Sequence, residues 1–241
     1  MKIIVLSDIH GNKTALEAVI IYLKKFKAEQ LIILGDIIDY GPHSNEVIKI
    51  IQGCQIPILC NLWGNHEQSI TEENYKYFSS NRGKIAAKYT HSILNNNSWN
   101  FIRNSMNKKG MVEFIVDGKF CLAIHGSLQD IYWKSIMPGD DLKEYRKYDY
   151  VFSGHSHLPH YFAEYYKVDN PVTRNRKKTV FINPGSVGQP RNLCPLSQFS
   201  IWDTKTEEII MAHVPYDIKK EQKKFTKDVD VFYKTRLEDG I

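Results

Sequence analysis

Apolar positions in the first sixty residues alternate between short unbroken runs and helical spacings. Ile3 to Leu6 reads as a fully buried strand, and Leu16, Val19, Leu23 and Phe26 then recur three and four apart, one face of a helix. Leu31 to Leu34 is a second buried run. Strand, helix and strand in so short a stretch form a crossover unit with parallel strands. A second unit follows, in which Ser44 or Asn45 caps a helix carrying Val47, Ile48 and Ile51, Gly53 stops it, and Ile56 to Cys60 forms the next strand.

The pattern changes between residue 68 and about residue 110. Ile85, Tyr89 and Ile93 keep helical spacing, and a second helix is expected after Ser98 through Phe101, Ile102 and Met106, so this stretch reads as a helical insertion. Met111 to Val116 and Lys119 to Ile124 flank Asp117-Gly118, a pair that tolerates the positive φ angles of a tight hairpin. Val151 to Ser153, Tyr161 to Tyr166 and Thr179 to Ile182 read as further strands. Phe199 to Asp203 and Glu208 to Val214 read as a last hairpin, followed from about residue 216 by a charged tail ending in a short helix packed on the outside. The whole predicts one domain over residues 1–241, with two sheets face to face and helices outside.

Composition narrows the class. The chain has 241 residues, 42% hydrophobic and 24% charged, which is ordinary for a globular protein. Its net charge of +5 suits an anionic substrate but falls short of a nucleic-acid-binding signature. Cys54, Cys60, Cys121 and Cys194 form no C-x-x-C pair and read as buried, reduced thiols. Ile3 to Leu6 is too short for a signal-peptide core, and no apolar stretch approaches the ~20 residues of a membrane span, so a cytoplasmic protein is expected.

The chemistry sits directly behind the apolar runs. Asp8-Ile9-His10, Gly35-Asp36-Ile37-Ile38-Asp39, Gly64-Asn65-His66-Glu67, His125-Gly126 and Gly154-His155-Ser156-His157 together supply enough ligands for two metal ions. The first three fall just past the carboxyl ends of three successive parallel strands, the usual ligand edge of such a sheet. Asp8 and His10 alternate along a segment expected to be extended, as do His155 and His157, so each pair turns to one side. Carboxylate, imidazole and amide donors without a cysteine cluster favour first-row divalent ions such as Mn, Fe, Co, Ni or Zn.

In this order, D-x-H, G-D-x-x-D, G-N-H-E, H-G and G-H-x-H resemble the calcineurin-like metallophosphoesterases, over roughly residues 3 to 190. The resemblance implies a four-layer αββα sandwich of two mixed sheets. It implies Asp8, His10 and His157 on one metal, Asn65, His125 and His155 on the other, and Asp36 bridging both. Two such cations neutralise phosphate charge and activate a bridging water toward hydroxide, the expected nucleophile. His66 then faces the leaving group as general acid, and Asp39 matches the family carboxylate that orients it and favours its charged form. An N-P-G-S loop ending near an arginine is familiar in the small prokaryotic branch of the family. Here Asn183 to Arg191 reads either as a backbone nest with Arg191 on the substrate phosphate, or as a tight turn between sheets.

Departures from related branches bear on the substrate. Protein phosphatases and dinucleoside-tetraphosphate hydrolases carry an arginine where this chain has Tyr40, and the former also carry one where Trp63 stands. Both aromatic residues could stack on a leaving group or base, or simply pack. A monoester dianion profits most from an arginine clamp, so its loss favours a small nucleotide-like phosphodiester. A phosphomonoesterase or protein phosphatase relying on Arg191, and a non-catalytic scaffold, are the alternatives. The basic cluster Arg174, Arg176, Lys177 and Lys178 reads as a solvated hairpin tip, and the loop around it, with the insertion, is expected to shape the pocket.

Overall fold

The computed structural model describes residues 1–168, 172 and 177–241, so Arg174 and Arg176 of the basic cluster lie outside the described residues. The first three apolar runs become β1 (Lys2–Leu6), β2 (Gln30–Ile33) and β3 (Ile58–Asn61), joined by α1 (Lys13–Leu23) and α2 (Ser44–Gln52). β1, β2 and β3 are parallel neighbours. The third strand starts later than its apolar run because Pro57 has no N–H to give to a ladder, although its carbonyl accepts from Leu31. Phe26 lies beyond the end of α1. Helix α2 is not capped as expected: His43 occupies the N-cap position without a side-chain bond to the helix. Ser44 Oγ instead accepts the Asp39 N–H at 3.1 Å, and the Asn45 amide bridges to Ile93 and Asn95. Both candidate caps are tertiary ties.

Three helices follow, α3 (Asn65–Thr71), α4 (Asn81–Ile93) and α5 (Asn96–Ser105), capped by Ser80 Oγ at α4 and by Asn95 at α5. Helix α4 turns Gly83, Ala86, Ala87 and Thr90 inward, while Ile85, expected on its apolar face, is 50% exposed. Small residues face in because α4 packs closely against its neighbours; Gly83 already lies near Phe78 and Tyr233.

β4 (Met111–Val116) and β5 (Lys119–Ile124) form the expected hairpin, with Asp117 at φ 47° and Gly118 at φ 75°. β6 (Tyr150–Ser153) and β8 (Lys178–Asn183) continue parallel to β5, and β7 (His160–Tyr165) closes the edge antiparallel to β8. β9 (Ser197–Asp203) and β10 (Ile209–Val214) add antiparallel strands to β1. The two mixed five-stranded sheets therefore run β10-β9-β1-β2-β3 and β4-β5-β6-β8-β7.

Alternation along the strands divides the core into layers. Ile3, Val5, Ile32 and Leu34 face the second sheet through Cys121, Ala123, Tyr150, Phe152 and Ile182. Ile4, Leu6, Leu31 and Ile33 point the other way, onto Leu16, Val19, Val47, Ile48 and Phe101 of the helices. On the far side of the second sheet, Ile136, Leu142, Tyr145 and Tyr148 around the short 3-10 turn Lys143–Tyr145 cover Leu122, Ile124, Val151 and Phe181. The result is the expected sandwich of two mixed sheets with flanking helices.

The tail folds back as α6 (Ile218–Gln222) and α7 (Val231–Asp239). Glu221 is fully buried, accepts the Thr14 N–H at 3.1 Å and pairs with His43 at 2.8 Å, so α6 is bonded to the start of α1. Helix α7 ends on Gly240 at φ 64°, whose carbonyl accepts the Leu193 N–H at 2.8 Å. Among the described residues no helix is long and apolar enough to cross a membrane.

Candidate metal centre

Carboxyl ends of five parallel strands meet along one edge of the sandwich. β1, β2 and β3 deliver Asp8, Asp36 and Asn65 from one sheet, while β5 and β6 deliver His125, His155 and His157 from the other. Convergence of Asp8 with His10, and of His155 with His157, does not come from strand alternation as expected. The strands have already ended, and Asp8 (φ 54°), His10 (φ 48°), Asp36 (φ 52°), Asp39 (φ 72°), Tyr40 (φ 58°), His155 (φ 65°) and His157 (φ 59°) all adopt left-handed backbone. Such angles are costly away from glycine and persist only where the surroundings enforce them.

Those surroundings are backbone hydrogen bonds between ligand loops. Asp8 N–H donates to Gly35, His10 N–H to Asp36 and Gly11 N–H to Ile37. Glu67, fully buried, accepts from the N–H groups of Asp36 (2.8 Å), Ile37 (2.9 Å), Ile38 (3.3 Å) and Gly64 (2.7 Å), clamping two ligand loops with one carboxylate. A side chain on Gly64 would meet Asp36 Oδ1 at 2.1 Å, so only glycine fits there.

The loop after β8 resolves as a turn, not a nest. Val187 and Gly188 donate their N–H groups to the carbonyls of Ser7 and Asp8, Ser186 Oγ donates to Asp8 at 2.7 Å, and Gln189 N–H donates to Ser186 Oγ. These donors brace the Asp8 loop and are not free for phosphate. Arg191, just beyond, does line the pocket.

Two clusters of donor atoms lie side by side. In the first, Nε2 of His157 is 3.2 Å from both His10 Nε2 and Asp8 Oδ1. His10 Nδ1 faces the Ile38 carbonyl at 3.2 Å and His157 Nδ1 faces that of Gln189 at 2.6 Å, so each Nδ1 carries the ring proton. Two bare nitrogen lone pairs and a carboxylate oxygen without a hydrogen bond therefore confront one another in a dry site. In the second, His125 Nδ1 donates to Leu34 at 2.7 Å, leaving Nε2 bare 3.0 Å from Asn65 Oδ1, which also faces His155 Nδ1 at 2.9 Å. Asp36 Oδ2 lies between, 3.8 Å from His10 Nε2 and 3.5 Å from His125 Nε2. Acceptors facing acceptors are satisfied by cations, and groups of Asp8, His10 and His157 and of Asp36, His125 and His155 could each hold a metal ion.

Electrostatics agrees. Burial holds His10 well below its ordinary value and brings His155 down to about 3 and His157 down to about 4, which keeps these rings neutral, the form that ligates metal. Asp36 is pushed well above the carboxylate range, by burial first and then by Glu67 and Asp8 against the pull of His66. Burial also opposes the charge on Asp8, but His157, His125 and His10 outweigh it and bring that group well below.

His66 adjoins both clusters, its ring 4.7 Å from that of His10 and its imidazole grouped with His10 and Asp36 in a third set that could hold a metal ion. Its N–H donates to Asp36 Oδ1 at 2.9 Å, and its Nδ1 is 2.7 Å from Asp39 Oδ2, while Nε2 is 3.9 Å from Asp36 Oδ2. Burial disfavours its charge, but Asp36 and then Asp39 overcome it and raise the imidazole above its ordinary value. Thr90 of α4 donates to the other Asp39 oxygen at 2.8 Å.

A cavity of about 550 Å³ opens over this floor. Tyr40 lines it, packed against His10, His66 and Tyr233, whereas Trp63 is buried in the core with its indole N–H on the Ile102 carbonyl. Arg82, Trp133, Tyr233 and Arg236 also line the cavity, and none was singled out as a site residue from the sequence. No signal marks Arg82 or Arg236 in the chain, since only packing of the insertion and tail brings them here. Glu67 was in view within its motif, and burial of a lone carboxylate there was the clue to its clamp.

A model of the calcineurin-like phosphoesterase superfamily domain matches residues 1–207, and the chain belongs to that family of hydrolases acting on phosphoester bonds. An uncharacterised protein of Methanocaldococcus jannaschii is 32% identical over 233 residues, covering 94% of this chain and 92% of that one. The crystal structure of a Sphaerobacter thermophilus metallophosphoesterase covers the full length of both chains with a TM-score of 0.73 at 23% identity. A hypothetical protein of Pyrococcus horikoshii reaches 0.83 at 18% identity, covering all of this chain and 98% of its own.

Proposed function

We propose that the protein is a phosphodiesterase acting on a small nucleotide-like ester at a centre of two divalent metal ions. Asp8, His10 and His157 hold one ion, Asn65, His125 and His155 the other, and Asp36 both. The observation that carries this reading is the pair of bare-donor clusters meeting at Asp36 on the pocket floor. Oxygen and nitrogen donors without thiolate suit manganese, which is the leading candidate. When bound, the two ions supply Lewis acidity and an activated water.

The chain's own groups do the rest. His66, its Nδ1 bound to Asp39, keeps a proton on Nε2 and delivers it to the departing oxygen, a role worth roughly 10²–10⁴-fold. Asp39, fixed by Thr90 and Ser44, sets the ring's tautomer and supports its positive charge. Arg191 takes a non-bridging oxygen of the scissile phosphate. Tyr40 packs where related phosphatases carry an arginine, so one fewer cation grips the phosphate, and this favours a singly charged diester. Bis-p-nitrophenyl phosphate is expected to turn over faster than p-nitrophenyl phosphate with Mn²⁺. A faster monoester would overturn the diester preference and leave a phosphomonoesterase.

A further inference from the structure

The cavity wall carries more positive charge than one scissile phosphate needs. Arg82 from the first turn of α4 and Arg236 from α7 join Arg191 in lining it. Among the described residues the side-chain ion pairs are made by lysines and histidines, and none of these three arginines pairs with an Asp or Glu. Arg236 is only 7% exposed, its Nε donates to the main-chain oxygen of Ile241, and its terminal nitrogens make no bond to another side chain among the described residues. Burial first, and then the charge of Arg191, push Arg236 down to about 10.

One ring positions both outer arginines. The guanidinium carbons of Arg82 and Arg236 lie 4.0 Å and 4.9 Å from the centroid of Phe232, which draws them together by cation–π attraction despite their like charge. Further donors point to the same need: Arg191 Nε and Trp133 Nε1, both on residues lining the cavity, are buried without a partner. Arg191 lies beside the metal floor, where its charge depresses His10, His155 and His157. Arg82 and Arg236 belong to the helices of the wall.

We propose that Arg82 and Arg236, held over Phe232, form a second anion subsite, so that the substrate is a phosphodiester bearing an additional phosphate group. The proposal rests on the phosphodiesterase reading of the floor and adds the substrate's second charge. Phosphate fits a paired guanidinium site through charge-assisted hydrogen bonds, and Tyr40, Phe78 and Tyr233 line the same cavity.

The test compares thymidine 5′-(p-nitrophenyl phosphate) with the same ester carrying a 3′-phosphate, using manganese-loaded protein. The second phosphate should raise kcat/KM about tenfold or more, and Arg82→Gln, on an exposed helical position, should bring that ratio toward one. A wild-type ratio near one would overturn the subsite while leaving the phosphodiesterase reading intact. If neither ester turned over, the floor reading would fail and calorimetry would decide the subsite. Tighter binding of thymidine 3′,5′-bisphosphate than of thymidine 5′-monophosphate, lost in Arg82→Gln, would support it; equal binding would overturn it.

Discussion

The floor and the wall of the cavity are built by different rules. The floor is made of strand ends and the loops just beyond them, cross-braced by backbone hydrogen bonds, Glu67 and the Ser186 turn. Its groups are buried, His155 partly so, and much of its backbone is held in left-handed conformations. The wall is made of helices from the insertion and the tail, with aromatic and arginine side chains mounted on their surfaces. In the proposed function, chemistry that tolerates little displacement falls to the rigid part and recognition to the helical part.

The largest test of that contrast removes the floor's shared ligand. Asp36→Asn, or exhaustive chelation, should bring phosphodiester hydrolysis to background, with mass spectrometry showing loss of bound metal. Metal retained at full content in Asp36→Asn would mean that the two clusters are independent. Next in size, His66→Ala should lower kcat roughly 10²–10⁴-fold with metal content unchanged. The loss should be greater for esters with poor leaving groups than for p-nitrophenyl esters, whose oxygen departs without a proton. The sign of the pH dependence follows from the raised His66 group, which in the proposed role acts while protonated. Activity should fall as pH rises through a value above that of ordinary histidine, and this limb should vanish in His66→Ala.

Gly188→Ala probes the brace. A Cβ there would lie 1.8 Å from the Ile9 carbonyl, so a stability loss of ~1–3 kcal/mol is expected, read by thermal unfolding, together with weaker metal retention. The smallest effect is expected where wall meets floor. Thr90→Val removes one hydrogen bond to Asp39 and should lower kcat by about tenfold or less, without changing metal content. Loss of metal in that variant would place Thr90 with the floor.

The same contrast explains what could be read from the chain. Asp8, His10, Asp36, Asn65, His125, His155 and His157 were legible because rare donor types stand immediately behind apolar runs, and strand direction alone sends them to one edge. The left-handed backbone that aims them was not legible, since it is imposed by partners as distant as Gly188 on Asp8. Ile85 illustrates the weaker side: its spacing identified a helix, yet its neighbours decided that the small residues face inward. Arg82, Tyr233 and Arg236 join the pocket through helix docking, which leaves no periodic trace.

The order of parts along the chain gives the Gly240 contact a wider meaning. All of the floor's donors precede residue 158, whereas the bond from Leu193 to Gly240 fastens the final helix beside the Arg191 loop. A change of register, length or residue in that closing segment would alter what enters the pocket while leaving every donor atom in place. In the proposed function, what the pocket admits can therefore be altered separately from the centre that acts on it.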